Sequence, residues 1–183
     1  MPANRRPVDR EAKREALVRA AAELFTDVGF DATPVSQLAA AAGVTTNTVY
    51  WYFEDKDALL VAVLDLLLAE AVQEYEQQDG TDLYAQLLWA VDRLRRFHRL
   101  VSVVHVRAAG AAVVAAWHDR FHGLADALLA DGFRGAGVAE GDLAAASRIG
   151  TFVIEGLLTH PQDEPDRNAV LHLLATLVPP SRR

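Results

Sequence analysis

Residues 29–59 read GFDATPVSQLAAAAGVTTNTVYWYFEDKDAL, and the turn inside this stretch decides the fold. Thr33-Pro34 is a helix start: a hydroxyl able to accept from an otherwise unpaired N–H stands before a proline, whose missing donor has no intrahelical acceptor there. The helix should run to about Ala42. Gly43 tolerates φ > 0 and breaks it, Val44 offers an apolar plug, and Thr45 is the next N-cap, so a second helix is expected from Thr46 to about Phe53. Val35, Leu38, Ala39 and Ala42 recur at helical spacing and Val44, Val49 and Phe53 supply the facing apolar set, so the two short helices can pack on each other. That packing leaves Thr46, Asn47, Tyr50 and Trp51 outside on the second helix, with Thr48 and Tyr52 at its flanks. A helix pair with a glycine turn also occurs in plain bundles, which hide their aromatics. Here Tyr50, Trp51, Tyr52 and Phe53 are consecutive and cover nearly a full turn, so they cannot all face one core. Exposed rings and hydroxyls on a short helix make a binding surface suited to a DNA groove.

These residues resemble the TetR family of transcriptional regulators. The resemblance runs from about Arg14 to Leu60 and rests on Ala21, Leu24-Phe25 and Gly29-Phe30, on Thr33, on Leu38-Ala39 with Ala42-Gly43-Val44, on Thr48, Tyr50 and Tyr52-Phe53, and on Lys56 before Leu59. It implies an all-α chain with a three-helix helix-turn-helix DNA-binding domain over 9–56 (motif about 34–53) and a helical effector-binding and dimerisation domain over 57–183. It also implies a homodimeric regulator, a repressor, that binds a palindromic double-stranded operator and is released by a small molecule. Thr46, Asn47, Tyr50 and Trp51 are then the candidates for base contacts, since Asn can pair with adenine and Thr can touch the thymine methyl. Thr33, Thr48, Tyr52 and Lys56 are the candidates for phosphates. An Arg5-Arg6 arm could reach the minor groove or the backbone. Relative to the family pattern, Thr46-Asn47 replaces a common lysine-glycine pair and Asp55 stands where a serine is usual.

Charge places the weight of DNA binding on a few groups. The chain carries a formal −7, and residues 1–60 hold seven Lys or Arg against nine Asp or Glu. Phosphates would therefore be met by local cations, hydroxyls and backbone N–H groups rather than by bulk charge. Lys56, one of two lysines, opens the helix after the aromatics; its ordinary role would be a solvated pair with Asp55 or Asp57. No cysteine is present, which excludes disulfides and thiol chemistry. No apolar run is long enough to span a membrane and the amino terminus lacks a signal-peptide core, so a cytoplasmic protein is expected.

Helical periodicity continues along the chain with no convincing strand. Helices are expected over 9–28, 56–78, 82–108, 111–131, 142–160 and 167–178, with a break at Gln77-Gln78-Asp79-Gly80, a glycine-rich loop over 132–141, and a connection closed to helix by Pro161 and Pro165. The family resemblance makes the last two helices the dimer interface, through Ile149, Phe152, Val153, Gly156, Val170, Leu174 and Leu177. It also implies an effector cavity, with Trp89, Phe97, His98, Val101, His105, Trp117, Phe121 and Phe152 as candidate lining residues; most such aromatics are ordinary core.

His118 and His122 stand at i and i+4 on one helical face, a metal-holding spacing with Asp119 where zinc proteases place a glutamate. A hydrolase or a metal-sensing regulator would need a third ligand, and His98, His105 or Glu155 qualifies only if the fold brings it close. No metal site, cofactor or catalytic residue is therefore assigned. The arginines of 93–99 alternate with Leu94 and Phe97 and read as a solvated helix face. Control by a protein partner instead of a small molecule is the other alternative.

Overall fold

The computed structural model describes the backbone of residues 6–77, 82–160 and 162–176, with side chains from residue 10 onward. Among these residues every regular element is helical, as the periodicity predicts. They are α1 (Arg6–Asp27), α2 (Val35–Ala41), α3 (Thr46–Tyr52), α4 (Lys56–Glu76), α5 (Leu83–Arg96), α6 (His98–Ala108), α7 (Ala112–Gly135), α8 (Leu143–Thr159) and α9 (Glu164–Thr176), plus a 3₁₀ turn at Glu140–Asp142. Arg5 and the Arg6 side chain of the arginine arm, the break at Gln78-Asp79-Gly80, Pro161 and the interface residue Leu177 lie outside what is described.

Two compact units are formed. One holds the chain up to Tyr75 together with Arg99–His118; the other holds Glu76–His98 and the chain from Asp119 onward. Helix α7 begins in the first unit and runs on unbroken into the second. Compactness thus groups α4, α6 and the start of α7 with the first three helices, whereas the division at 56/57 is the one that the family resemblance implies.

In the first unit Leu17, Ala21 and Phe25 of α1 are fully buried with Leu38 of α2, Val49 of α3 and Leu59, Leu60 and Val63 of α4. Val28, just past the end of α1 at Asp27, is 44% exposed. The glycine turn closes as a helix C-terminus should: Gly43 N–H donates to the Ala40 carbonyl at 3.1 Å and Val44 N–H to the Ala39 carbonyl at 2.9 Å, which satisfies two orphan acceptors. This geometry requires Gly43 at φ +65, where a Cβ would meet no other atom but the backbone itself is unfavourable for an L residue. Gly43→Ala should therefore lower stability by about 1–2 kcal/mol, read as a shifted urea midpoint. An unchanged midpoint would show that the turn can relax out of the left-handed region.

The second unit buries Leu83, Leu87 and Val91 of α5 against Phe133, Leu143, Ile154, Leu171 and Leu174. Three expectations are corrected here. The helix expected over 82–108 breaks at Phe97 (φ −111, ψ 22), and the His98 ring donates from Nδ1 to the Arg95 carbonyl at 3.1 Å, taking up an acceptor freed by the break. The glycine-rich loop is helical as far as Gly135, because Gly132 is where α7 and α5 approach; a Cβ there would lie 2.9 Å from Gln86 Oε1 and 3.1 Å from Leu83 Cδ1. Helix α9 starts at Glu164, since Asp163 caps it through Asp166 N–H at 2.9 Å, and Pro165 sits in its first turn where a missing N–H is harmless.

Helices α8 and α9 each carry an apolar face that is open among the described residues. Ile149 and Phe152 of α8 are 54% and 64% exposed, and Val170 and Leu173 of α9 are 41% and 55% exposed. Leu174, expected at this face, is instead buried in the unit's core, and Leu173 takes its place outside. Val153 is only partly buried and packs against the core, and Gly156 has open space above it.

Candidate nucleic-acid interface

Helix α3 is positioned by its own sequence. Thr45 stands in extended backbone (φ −87, ψ 157) and its hydroxyl accepts from Thr48 N–H at 3.2 Å while contacting the Thr48 hydroxyl at 2.9 Å, so Thr45 is the N-cap that the sequence predicts. Burial of Val49 and Phe53 at 3% and 5% turns the opposite side of the helix outward. Tyr50 and Trp51 are 52% and 60% exposed, Asn47 is exposed, and Thr46 and Thr48 are half-buried. The four candidate base-contact residues thus share the outward side of a helix whose inner side is anchored in a core.

Helix α1 supports this face in a way the sequence did not disclose. The Arg10 guanidinium lies 4.3 Å from the Trp51 ring centroid, and the Tyr52 hydroxyl donates to the Arg10 carbonyl at 3.1 Å. Arg14 stands 5.2 Å from the Phe53 ring centroid. Two cations of α1 therefore border the aromatic helix, and the Trp51 ring meets Tyr52 edge-on at 4.8 Å. No local signal marks Arg10 as a partner of Trp51, which is forty-one residues away along the chain.

The expected phosphate residues fare differently. Thr33 is a correction: it is fully buried, and its hydroxyl donates to the Gly29 carbonyl at 2.7 Å, so it reaches no phosphate. Nor does it cap α2, whose N-cap position is Pro34 with no side-chain bond; the turn from Gly29 uses the hydroxyl instead. Tyr52 is half-buried with its hydroxyl on Arg10. Lys56 opens α4 as expected but does not pair with Asp55 or Asp57. Its ammonium donates to the Phe30 carbonyl and sits 4.2 Å from the Phe30 ring centroid. Burial against these groups pushes its pKa below the usual lysine value, the nearby Asp31 opposing the shift.

Asp55, the departure from the family's serine, caps α4 by accepting from Ala58 N–H at 2.7 Å, which is the bond a serine would make. The neighbouring Asp57 is buried, and its two carboxylate oxygens accept from Nε and Nη2 of the Arg107 guanidinium of α6. That hydrogen-bonded pairing holds Arg107 above its ordinary pKa against the opposing effect of burial. Further along α4, Asp65 accepts from the Trp117 indole N–H of α7 at 2.8 Å. Both links lie within the first unit. Asp57→Ala should destabilise it by roughly 2 kcal/mol, below the 3–5 kcal/mol of a fully buried pair because Arg107 remains 36% exposed. Calorimetry would check this, and an unaltered transition would mean that the pair offsets its own desolvation.

The candidate effector residues have individual environments. Trp89, Phe97, Val101 and Phe121 are half-buried, and His98 and His105 are exposed. Trp117 is buried with its N–H committed to Asp65. Phe152 is a correction, lying on the outer face of α8 rather than in an interior.

Residues 17–63 match the family described as bacterial regulatory proteins, tetR family. An uncharacterized HTH-type transcriptional regulator of Mycobacterium tuberculosis is 32% identical over 104 residues, which is 55% of this chain and 54% of that protein. The tetracycline repressor protein class C of Escherichia coli is 41% identical over 56 residues, 31% of this chain and 26% of the repressor. The chain thus spans about half, or less, of the length of these relatives. The crystal structure of a transcriptional regulator from Rhodococcus sp. superposes with a TM-score of 0.73 at 18% identity, covering 90% of this chain and 95% of that one. Residues 17–63 therefore form a regulatory domain of the tetR family, and the chain as a whole shares the all-helical fold of the Rhodococcus transcriptional regulator.

Proposed function

We propose that the protein is a homodimeric transcriptional repressor that grips a palindromic operator with two copies of α3 and lets go when a small molecule binds. The observation that carries this reading is the outward side of α3, where Asn47, Tyr50 and Trp51 stand exposed on a helix capped by Thr45 and anchored by Val49. One short helix reads too few base pairs for a specific site, and two-fold symmetry supplies the second half-site. The open apolar face of Ile149, Phe152, Val170 and Leu173 is the proposed contact between subunits. On this reading the DNA-binding domain is 9–56 and the rest serves sensing and dimerisation, in the cytoplasm; among the described residues no helix is long and apolar enough to cross a membrane.

Helix α4 is the proposed lever. Its first turn is tied to α6 by Asp57–Arg107 and its middle to α7 by Asp65–Trp117, so a shift of α6 or α7 moves the helix that follows α3. A small molecule would release DNA only if it bound the non-operator arrangement more tightly than the operator-bound one. The tetracycline repressor, by its name, answers to a small molecule; the effector of this chain is unassigned.

Selection of bound fragments from genomic DNA, followed by footprinting, tests the reading. A protected two-fold-symmetric site is expected, with half-site centres about one helical turn, 34–36 Å, apart. Uniform protection with no discrete site would overturn it.

A further inference from the structure

Trp51 is the most exposed large ring of α3, at 60%, and it stands one turn beyond Asn47 on the same face of the helix. An exposed ring turns freely about its side-chain bonds, and a base contact then costs the entropy of fixing it. The neighbours of Trp51 remove that freedom. The Arg10 guanidinium covers the ring at 4.3 Å from its centroid, and Tyr52 meets it at 83° with centroids 4.8 Å apart. The Tyr52 hydroxyl in turn donates to the Arg10 carbonyl at 3.1 Å. Arg10, Trp51 and Tyr52 thus close a three-residue clasp between α1 and α3, all of it within the first unit.

The two ties of Arg10 to α3 respond differently to substitution. The bond from Tyr52 goes to the main chain and survives any change of side chain at residue 10, whereas the ring contact depends on the guanidinium. A planar guanidinium can cover an indole while its N–H donors stay in water at the rim; a lysine ammonium is a compact, strongly hydrated charge that does this less well. Arg10 is exposed, so replacing its side chain leaves the core intact.

We propose that Arg10 is a positioning residue for sequence recognition, which rests on the reading of α3 as the recognition helix. By holding the Trp51 ring in one orientation on the outward side of α3, Arg10 sets what Trp51 and Asn47 read, with no base contact of its own. A guanidinium that served only a DNA phosphate would act equally well without Trp51.

A double-substitution cycle on operator binding by the full-length protein separates the two roles, using Arg10→Met, Trp51→Ala and their combination. Arg10→Met should weaken binding about 2- to 5-fold per half-site, or roughly 5- to 30-fold over a symmetric operator, and should relax sequence preference. In the Trp51→Ala background the same change should cost less than about 2-fold, because the ring it positions is gone. Arg10→Lys should keep the parent's salt slope and still show relaxed preference. In the DNA-free protein the Trp51 indole N–H resonance, identified by its absence from Trp51→Ala, should shift in Arg10→Met. All variants are checked for native helicity by circular dichroism. Equal losses from Arg10→Met in both backgrounds, with the log–log salt slope lowered by about 0.9 per contact, would assign Arg10 to phosphate and overturn the positioning role. An unmoved indole resonance would overturn it as well. A parent protein with no discrete site would sink the recognition reading itself, whereas a discrete site bound with an additive cycle would sink the role of Arg10 alone.

Discussion

Phe152→Asp should yield a folded monomer that has lost its operator. Phe152 is 64% exposed in the single chain, so an aspartate there stays solvated and costs the subunit little. In a two-fold interface it would remove apolar burial worth about 1.5–3 kcal/mol from each subunit and add a carboxylate on each side that must be desolvated. The loss is therefore counted twice, and a dimer with micromolar or weaker affinity would dissociate entirely. Leu173→Asp should do the same from α9. Leu174→Asp should not: that side chain is 7% exposed in the core beside Leu171, so the expected result is unfolding, not dissociation. Sedimentation equilibrium separates oligomer from monomer, and circular dichroism reports folding. If Phe152→Asp sediments as the parent does, the interface lies elsewhere.

Tyr50→Ala should weaken operator binding and blur its sequence preference together. A base-edge contact is worth about 1–3 kcal/mol, and a symmetric operator has two, so the expected loss is roughly 30-fold or more. Tyr50 is 52% exposed, about 100° around α3 from buried Val49, so its removal should leave the domain folded. Lys56→Ala makes the contrasting case. A lysine that serves phosphate loses affinity evenly over all sequences, with the log–log salt slope falling by about 0.9 per contact, or nearly 2 per dimer. Because the Lys56 ammonium also donates to the Phe30 carbonyl, its variant needs a stability control that Tyr50→Ala does not. Equal operator affinity and preference in Tyr50→Ala would place the recognition surface on other residues, Trp51 and Arg10 first.

Where the fold departs from the sequence pattern, the physical causes differ from element to element. Helix α9 carries apolar residues at Val170 and Leu173 and again at Leu171 and Leu174, two stripes about 100° apart, so periodicity cannot say which one faces the core. Packing of α5 on α9 buries the second stripe, and Leu173 emerges as the outer residue. Gly132 reads as a helix end by composition, yet it lies within α7 because Leu83 and Gln86 leave no room for a side chain. Thr33 before a proline has every mark of a cap. A carbonyl four residues earlier took its hydroxyl first.

The helix-turn-helix was legible because its determinants are local. A cap at Thr45, a turn that only Gly43 makes without strain, and apolar residues three or four apart act within a few residues of one another, and neighbours in sequence are neighbours in space. Such terms settled the all-helical class and the outward side of α3 without any tertiary information. What the tertiary structure alone decided were contacts between residues tens of positions apart: Arg10 on Trp51, Arg107 on Asp57, Trp117 on Asp65 and His105 on His118. Each is a polar or ring contact whose partner is set by how helices pack. A single arginine or histidine in a sequence carries no mark of the helix it will meet.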